Sequence, residues 1–268
     1  HSIREVSQEW DHESAEGEVR MTVSILTGDC RDLVPRLADE SFDLILTDCP
    51  YGETSLTWDR WVSGWPALVR PKLKRTGSMW VFGSSRMFHE HAGEFAGWRF
   101  IQDVQWEKQN GSGFHADRFK RVHESAWQFC RDDSRWDEVY KLPQFTNDAT
   151  ARAVRRKRRP AHMGHIEASA YVSHDGGPRL MRSVIYCRNE HGRAEHPTQK
   201  PIGIVEPLLL YACPPGGAVL DCFAGSGTTG IVAKRHGMSA TLIEGDEVFV
   251  DVIHRRLLDD APLLAGAA

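Results

Sequence analysis

Short apolar runs rich in β-branched residues punctuate this chain, and their spacing predicts its elements. VSIL (23–26), FDLIL (42–46), SMWVFG (78–83), RFIQDVQW (99–106), SAWQF (125–129) and LMRSVIY (180–186) each read as a buried strand. Segments such as CRDLVPRL, between two of them, carry helical spacing. Toward the C-terminus the alternation is cleaner: strand AVLDCF, a helix over 226–236, strand SATLIE, and a helix over 246–259 with Val248, Phe249, Val252, Ile253 and Leu257 on one face. Strands alternating with helices predict an α/β fold, a mostly parallel twisted sheet with helices on both faces.

From about Arg131 the periodicity fails, and Gly, Pro, His and Arg scatter between weak elements as far as Gly192. That stretch, 131–192, is expected to be an inserted lobe. It separates one half of the core, 21–130, from a second half, 193–268. The leading HSIREVSQEWDHESAEGEVR is polar and acidic, unlike a secretory signal, so residues 1–20 are expected to form a flexible tail. No apolar run approaches the roughly 20 residues of a membrane span. A soluble, cytoplasmic protein with no membrane partner is expected, and a homodimer remains open.

Charge changes this picture in one place. The formal net charge of −4 argues against a uniformly basic nucleic-acid binder, yet residues 105–200 hold 18 Lys and Arg against 12 Asp and Glu. The densest run is RAVRRKRRP, with Arg155, Arg156, Lys157, Arg158 and Arg159 in succession. By itself such a run is equally a solvated surface. The six cysteines form no CxxC pair, so neither a metal site nor a disulfide framework is expected.

Candidate chemistry begins at LDCFAGSGTTG, where a strand ends at Asp221 and a bend with Gly225 and Gly227 opens a helix. Glycines there let a ligand lie against the main chain and the helix N-terminus. Neither GxxxxGK[ST] nor GxGxxG is matched, so a nucleoside with a charged amino-acid tail fits better than a polyphosphate. The next strand ends in Glu244, 23 residues after Asp221, where an acid can accept from two ribose hydroxyls.

With these residues in view the chain resembles the β group of S-adenosylmethionine-dependent DNA amino-methyltransferases, over roughly Ser24 to Leu257. In that group the catalytic motif precedes the cofactor motif. The resemblance implies a Rossmann-like methyltransferase fold of permuted motif order, with the inserted lobe reading double-stranded DNA. DCFAGSGTT resembles the cofactor loop, implying Asp221, Phe223, Gly225, Ser226, Gly227, Thr228, Thr229 and Glu244 as S-adenosylmethionine contacts. LTGDC resembles the segment holding the adenine of the cofactor, through Asp29 and the backbone around Cys30. HPTQKP resembles the segment at its methionine end, where Thr198 and Lys200 would meet the carboxylate and Pro201 would start a helix.

TDCPYG resembles the DPPY motif, which assigns catalysis to Asp48, Cys49, Pro50 and Tyr51. A nucleobase amino group is a weak nucleophile because its lone pair is delocalised into the ring. Acceptors on both N–H bonds localise it: the Asp48 carboxylate and the Cys49 backbone carbonyl, with Tyr51 stacked on a flipped base. Cys49 stands where the family has proline, which removes a ring constraint but keeps the carbonyl. The segment from Val104 to Glu124 resembles the base-pocket wall, making Trp106 and Lys108 candidate pocket or phosphate contacts and Arg118, Lys120 and Arg121 candidate DNA contacts beside the Arg155–Arg159 run. The acid in the motif points to adenine, within a restriction-modification setting. Cytosine-N4 transfer, methylation of a protein glutamine, and a DNA-binding protein without turnover are the alternatives.

Overall fold

The computed structural model describes residues 4–14, 17–112, 116–156 and 169–260. In chain order the strands are β1 (Arg4–Ser14), β2 (Gly17–Thr27), β3 (Phe42–Thr47), β4 (Leu73–Gly83), β5 (Trp98–Ser112), β6 (Arg121–Arg131), β7 (Phe145–Thr146), β8 (Arg152–Arg156), β9 (Ser169–Ser173), β10 (Arg179–Leu180), β11 (Val184–Tyr186), β12 (Ala218–Asp221) and β13 (Ser239–Glu244). The α-helices are α1 (Cys30–Leu33), α2 (Trp65–Val69), α3 (Ser85–Glu90), α4 (Ile202–Ala212), α5 (Thr228–Arg235) and α6 (Glu247–Asp259).

Nine strands form one sheet in the order β1-β2-β13-β12-β3-β4-β6-β5-β11. From β2 through β13, β12 and β3 to β4 every pair is parallel, as is β5 with β11. The β1/β2, β4/β6 and β5/β6 pairs are antiparallel. Strand alternation then divides the core in two. Leu44, Leu46, Trp80, Phe82, Val219 and Leu242 pack on one face with the buried sides of α4, α5 and α6. Ile45, Met79, Val81, Leu220 and Ile243 face the other, against α1, α2 and α3. In α6 the inward residues include Val250, whereas Val248, expected on that face, is exposed in the first turn.

Two sequence expectations are corrected by the chain's path. The expected tail of residues 1–20 holds strand structure: Arg4–Ser14 pairs with β2 along its whole length. An edge strand is held by backbone hydrogen bonds on one side only, so it can stay polar, and charged side chains there discourage pairing with other chains. The irregular lobe is also shorter than 131–192. The compact second unit is Pro143–Arg182, built from the β7/β10 and β8/β9 pairs. The flanks belong to the main unit, where Leu142 N–H donates to the Tyr211 carbonyl (2.8 Å) and Gln105 N–H to the Ser183 carbonyl (2.7 Å). LMRSVIY is accordingly two strands, β10 in one unit and β11 in the other. No helix among the described residues is long and apolar enough to cross a membrane.

Leu44 is fully buried where β3 meets β12 and α4. Leu44→Ala should destabilise the protein by about 2–5 kcal/mol, through lost burial and a residual cavity, as read from urea unfolding.

Candidate active site

The two motif-bearing strands, far apart in sequence, are neighbours in the sheet. Val219 pairs with Leu44 and Leu220 with Ile45 in parallel, so TDCPYG and the glycine-rich bend leave the sheet side by side at the same end. Thr47 Oγ1 donates to Asp221 Oδ1 at 2.9 Å, joining the motifs directly. Asp221 also accepts from Thr229 Oγ1 (2.7 Å) and the Phe223 N–H (3.2 Å), and burial pushes its carboxyl up to about 6. Its oxygens are thus engaged with the protein itself, and it shapes the wall of the site.

The bend is built for close approach. Gly225 and Gly227 both have positive φ, 53° and 75°, and a Cβ on Gly227 would sit 2.8 Å from Ile253 Cγ2. Glu244 Oε2 accepts the Gly225 N–H at 2.7 Å, while the Arg256 guanidinium donates to the Ser226 carbonyl. The bend borders a cavity of about 630 Å³, within the range of roughly 300–1,000 Å³ usual for small-molecule sites. Asp29, Cys30, Asp48, Pro50, Thr198, Lys200, Asp221, Phe223, Gly225, Ser226, Thr228, Thr229 and Glu244 all line it. Cys49, Tyr51 and Gly227 lie outside that lining; the Cys49 side chain is buried in the core cluster beneath. Glu244 at one end, the open bend and the carboxylate of Asp48 at the other suit an elongated nucleoside with an amino-acid tail. Asp29 caps α1 and chelates Arg31 (2.6 Å), whose hydrogen bond holds its carboxyl below the ordinary range.

Around Asp48 the site holds buried charge. Lys200 Nζ lies 2.5 Å from Asp48 Oδ2 and 3.3 Å from Glu124 Oε2, and Lys108 pairs with Glu124 Oε1. Burial pulls the Lys200 ammonium down, but the two carboxylates outweigh it and hold it raised. Burial likewise opposes ionisation of Glu124, yet Lys200 and Lys108 hold it at about 2. Asp48 is raised, chiefly by burial, against the pull of Lys200. Its other oxygen, Oδ1, is buried and has no hydrogen-bond partner among the described residues. Glu124 Oε2 is buried without a hydrogen bond as well, but of the two residues only Asp48 lines the cavity, and a buried acceptor is costly to leave unpaired. Lys200, expected at a cofactor carboxylate, is therefore committed to Asp48, and Lys108, expected at DNA phosphates, turns inward over Trp106, 4.6 Å from the ring centroid.

Three residues that shape the site were missed in the sequence. Asp59 is buried, and its carboxylate accepts from the N–H groups of Tyr51, Gly52 and Thr54 and from Thr54 Oγ1, at 2.7–2.9 Å, fixing the turn that follows TDCPYG. His196 lies between the rings of Trp58 (tilted, 5.3 Å) and Phe249 (edge-on, 4.2 Å), and burial, with Lys200 nearby, lowers it to about 4. It is neutral at pH 7 and accepts the Thr198 N–H on Nδ1 (3.3 Å). Glu124 is the third. An isolated acid in a loop or strand carries no motif; only its convergence on backbone donors or cations reveals it.

The remaining basic candidates are dispersed. Arg118 is exposed and paired with Asp117, Lys120 is exposed, and Arg121 pairs with Glu53 at 2.6 Å. Arg155 is exposed on β8, whose last residue is Arg156, in the second unit. Lys157, Arg158 and Arg159 lie outside the described residues. Among the described residues no cluster of His, Cys, Asp or Glu could hold a metal ion.

Comparison with known proteins matches residues 42–255 to a DNA methylase family. The type II methyltransferase M.HinfI of Haemophilus influenzae is 28% identical over 89% of this chain and 69% of its own length. Among solved structures, the M1.HpyAVI–SAM complex has a TM-score of 0.58 at 23% identity, covering 87% of this chain and 98% of that one. The cytosine-N4-specific PvuII DNA methyltransferase has a TM-score of 0.55 at 17% identity, covering 89% and 93%. These likenesses fix the fold as that of DNA methyltransferases.

The Asp59 carboxyl is held below its ordinary pKa: burial opposes this, but the Thr54 hydroxyl and the Gly52, Thr54 and Tyr51 N–H groups outweigh it. A depressed acid stabilises the fold above its unfolded pKa of about 3.9 and loses that contribution as pH falls through its folded value. Asp59→Asn should therefore be less stable than wild type at pH 7, with the gap closing as pH falls through the lowered pKa of Asp59 in the folded protein. Urea melts across that range measure it.

Proposed function

The chain belongs to the N6/N4 DNA methylase family, and from that premise we propose that it transfers a methyl group from S-adenosylmethionine to the exocyclic amino group of an adenine flipped out of double-stranded DNA. One observation carries the assignment of the reacting centre. Asp48 has one oxygen engaged by Lys200 and one with no partner, beside a cavity of cofactor size.

When bound, S-adenosylmethionine supplies a methyl group on a sulfonium, an electrophile needing no further activation. Glu244 is suited to its ribose hydroxyls, the Gly225–Gly227 backbone to its middle, and the wall around Thr198 and His196 to its amino-acid end. The chain's own chemical work falls on the amino nitrogen. Asp48 Oδ1 accepts one N–H and the Cys49 carbonyl the other, drawing the nitrogen toward tetrahedral geometry so that its lone pair leaves the ring. After methylation the nitrogen carries an extra proton, which it releases readily, and Asp48 is its first receiver. Tyr51 fixes the plane of the base. His196, its pKa lowered by burial, would add no positive charge to the wall of a cavity that has to hold a cationic cofactor.

Phosphate contacts are assigned to Arg118, Lys120 and Arg121 and to the run Arg155, Arg156, Lys157, Arg158 and Arg159, which position the duplex without reading its sequence. The second unit, Pro143–Arg182, is assigned the reading of the target. Adenine is preferred because the motif carries an acid; cytosine-N4 transfer is the second reading, favoured by the specificity of the PvuII enzyme.

Asp48→Ala should bind cofactor and DNA as wild type does, since Lys200 keeps Glu124 as a partner, yet lose single-turnover methylation by far more than about tenfold, or about 1.4 kcal/mol. Nucleoside mass spectrometry of the methylated duplex should show N6-methyladenine; N4-methylcytosine would select the second reading. Glu244→Ala should weaken S-adenosylmethionine binding by about 1.5–3 kcal/mol in calorimetry, and an unchanged affinity removes Glu244 from the site.

A further inference from the structure

Behind Asp48 the buried charges form a chain of four, Lys108, Glu124, Lys200 and Asp48, and only its last two members line the cavity. Lys108 and Glu124 face each other from β5 and β6, and both side chains are nearly buried, 11% and 13% exposed. Aromatic faces close off both cations: Trp106 lies under Lys108, and Phe82 is 5.3 Å from Lys200. Two ammonium groups and two carboxylates balance, so the chain is neutral as a unit. The balance has a geometric consequence. Lys200 stands between the two carboxylates: it donates to Asp48 Oδ2 and lies 3.3 Å from Glu124 Oε2, while Asp48 Oδ1 and Glu124 Oε2 are both buried without a hydrogen bond among the described residues.

We propose that Glu124 is a positioning residue for methyl transfer: it holds Lys200 in a shared position, so that one oxygen of Asp48 keeps no donor of the protein's own and is reserved for the target amino group, and Lys108 fixes Glu124 in turn. This rests on Asp48 being the acceptor for that amino group. Glu124 need touch neither base nor cofactor to act. Cys49, Tyr51, Asp221 and His196 are other titratable groups close enough to feel this set, and among the described residues the carboxylates paired with Lys200 are Asp48 and Glu124.

The test compares Glu124→Gln, Glu124→Asp and Lys108→Met with wild type. It uses single-turnover rate against pH on an adenine-containing duplex and, separately, a carbon-13 NMR titration of the Asp48 carboxyl in the DNA-free protein. Glu124→Gln should slow transfer by at least about tenfold while cofactor and DNA affinities stay within about twofold, and Glu124→Asp, which keeps the charge, should recover part of the rate. Loss of the Glu124 charge should move the Asp48 titration, and the acid limb of the rate profile, to lower pH; loss of the Lys108 charge should move both to higher pH. A Glu124→Gln rate within about twofold of wild type, with an unmoved profile, overturns the proposal. So does an equal loss in Gln and Asp variants with the Asp48 titration unmoved, which is the signature of a merely structural pair. Should Glu124→Gln fail to fold, Lys108→Met decides by the same readouts. If wild type methylates no DNA, the functional reading falls, while opposite shifts of the Asp48 titration in the two variants still sustain the charge chain and their absence still refutes it.

Discussion

A single ammonium organises this site. Taking Lys200 out of water costs several kcal/mol, and only close anionic partners recover that. Those partners come from the end of β3 and from β6, while the lysine itself immediately precedes α4. Three segments distant in sequence are therefore drawn to meet at one point. The same arrangement leaves Asp48 with one oxygen on its counterion and one without a hydrogen bond among the described residues, because the cation stands between two carboxylates.

The parallel pairing of β3 and β12 provides the second constraint. In such a sheet both strands release their chains at the same edge, so the order of motifs along the sequence is immaterial to the geometry of the site. The hydroxyl bonds from Thr47 and Thr229 to Asp221 turn that neighbourhood into a fixed wall. Glycines at 225 and 227 keep the bend low against α6, and Glu244 draws it toward β13.

Much of this was legible in residues alone, for a physical reason. Buried strands and amphipathic helices write their periodicity into the chain, and a glycine-rich bend or an acid-proline-aromatic turn is a local feature that a short string can carry. What was illegible depends on meetings across the fold. β1 lacks an apolar signature because an edge strand is held by its backbone. Lys108 and Lys200 read as ligands for anions outside the protein, and nothing near them in sequence announces Glu124. Asp59 is one acid among many until three backbone N–H groups are seen to converge on it. The lobe boundaries shifted because irregular loops packed on the main unit look, in composition, like the insert they flank.

The two backbone hydrogen bonds at Leu142 and Ser183 matter for how such a protein diversifies. They tack the outgoing and returning chain to the main unit, so everything between them hangs from two fixed pegs. Recombination that swaps this segment for another of different length or sequence leaves β3, β12 and the charge chain untouched. Chains descended from one such scaffold can then vary this segment in length and sequence while keeping the pairing of β3 with β12.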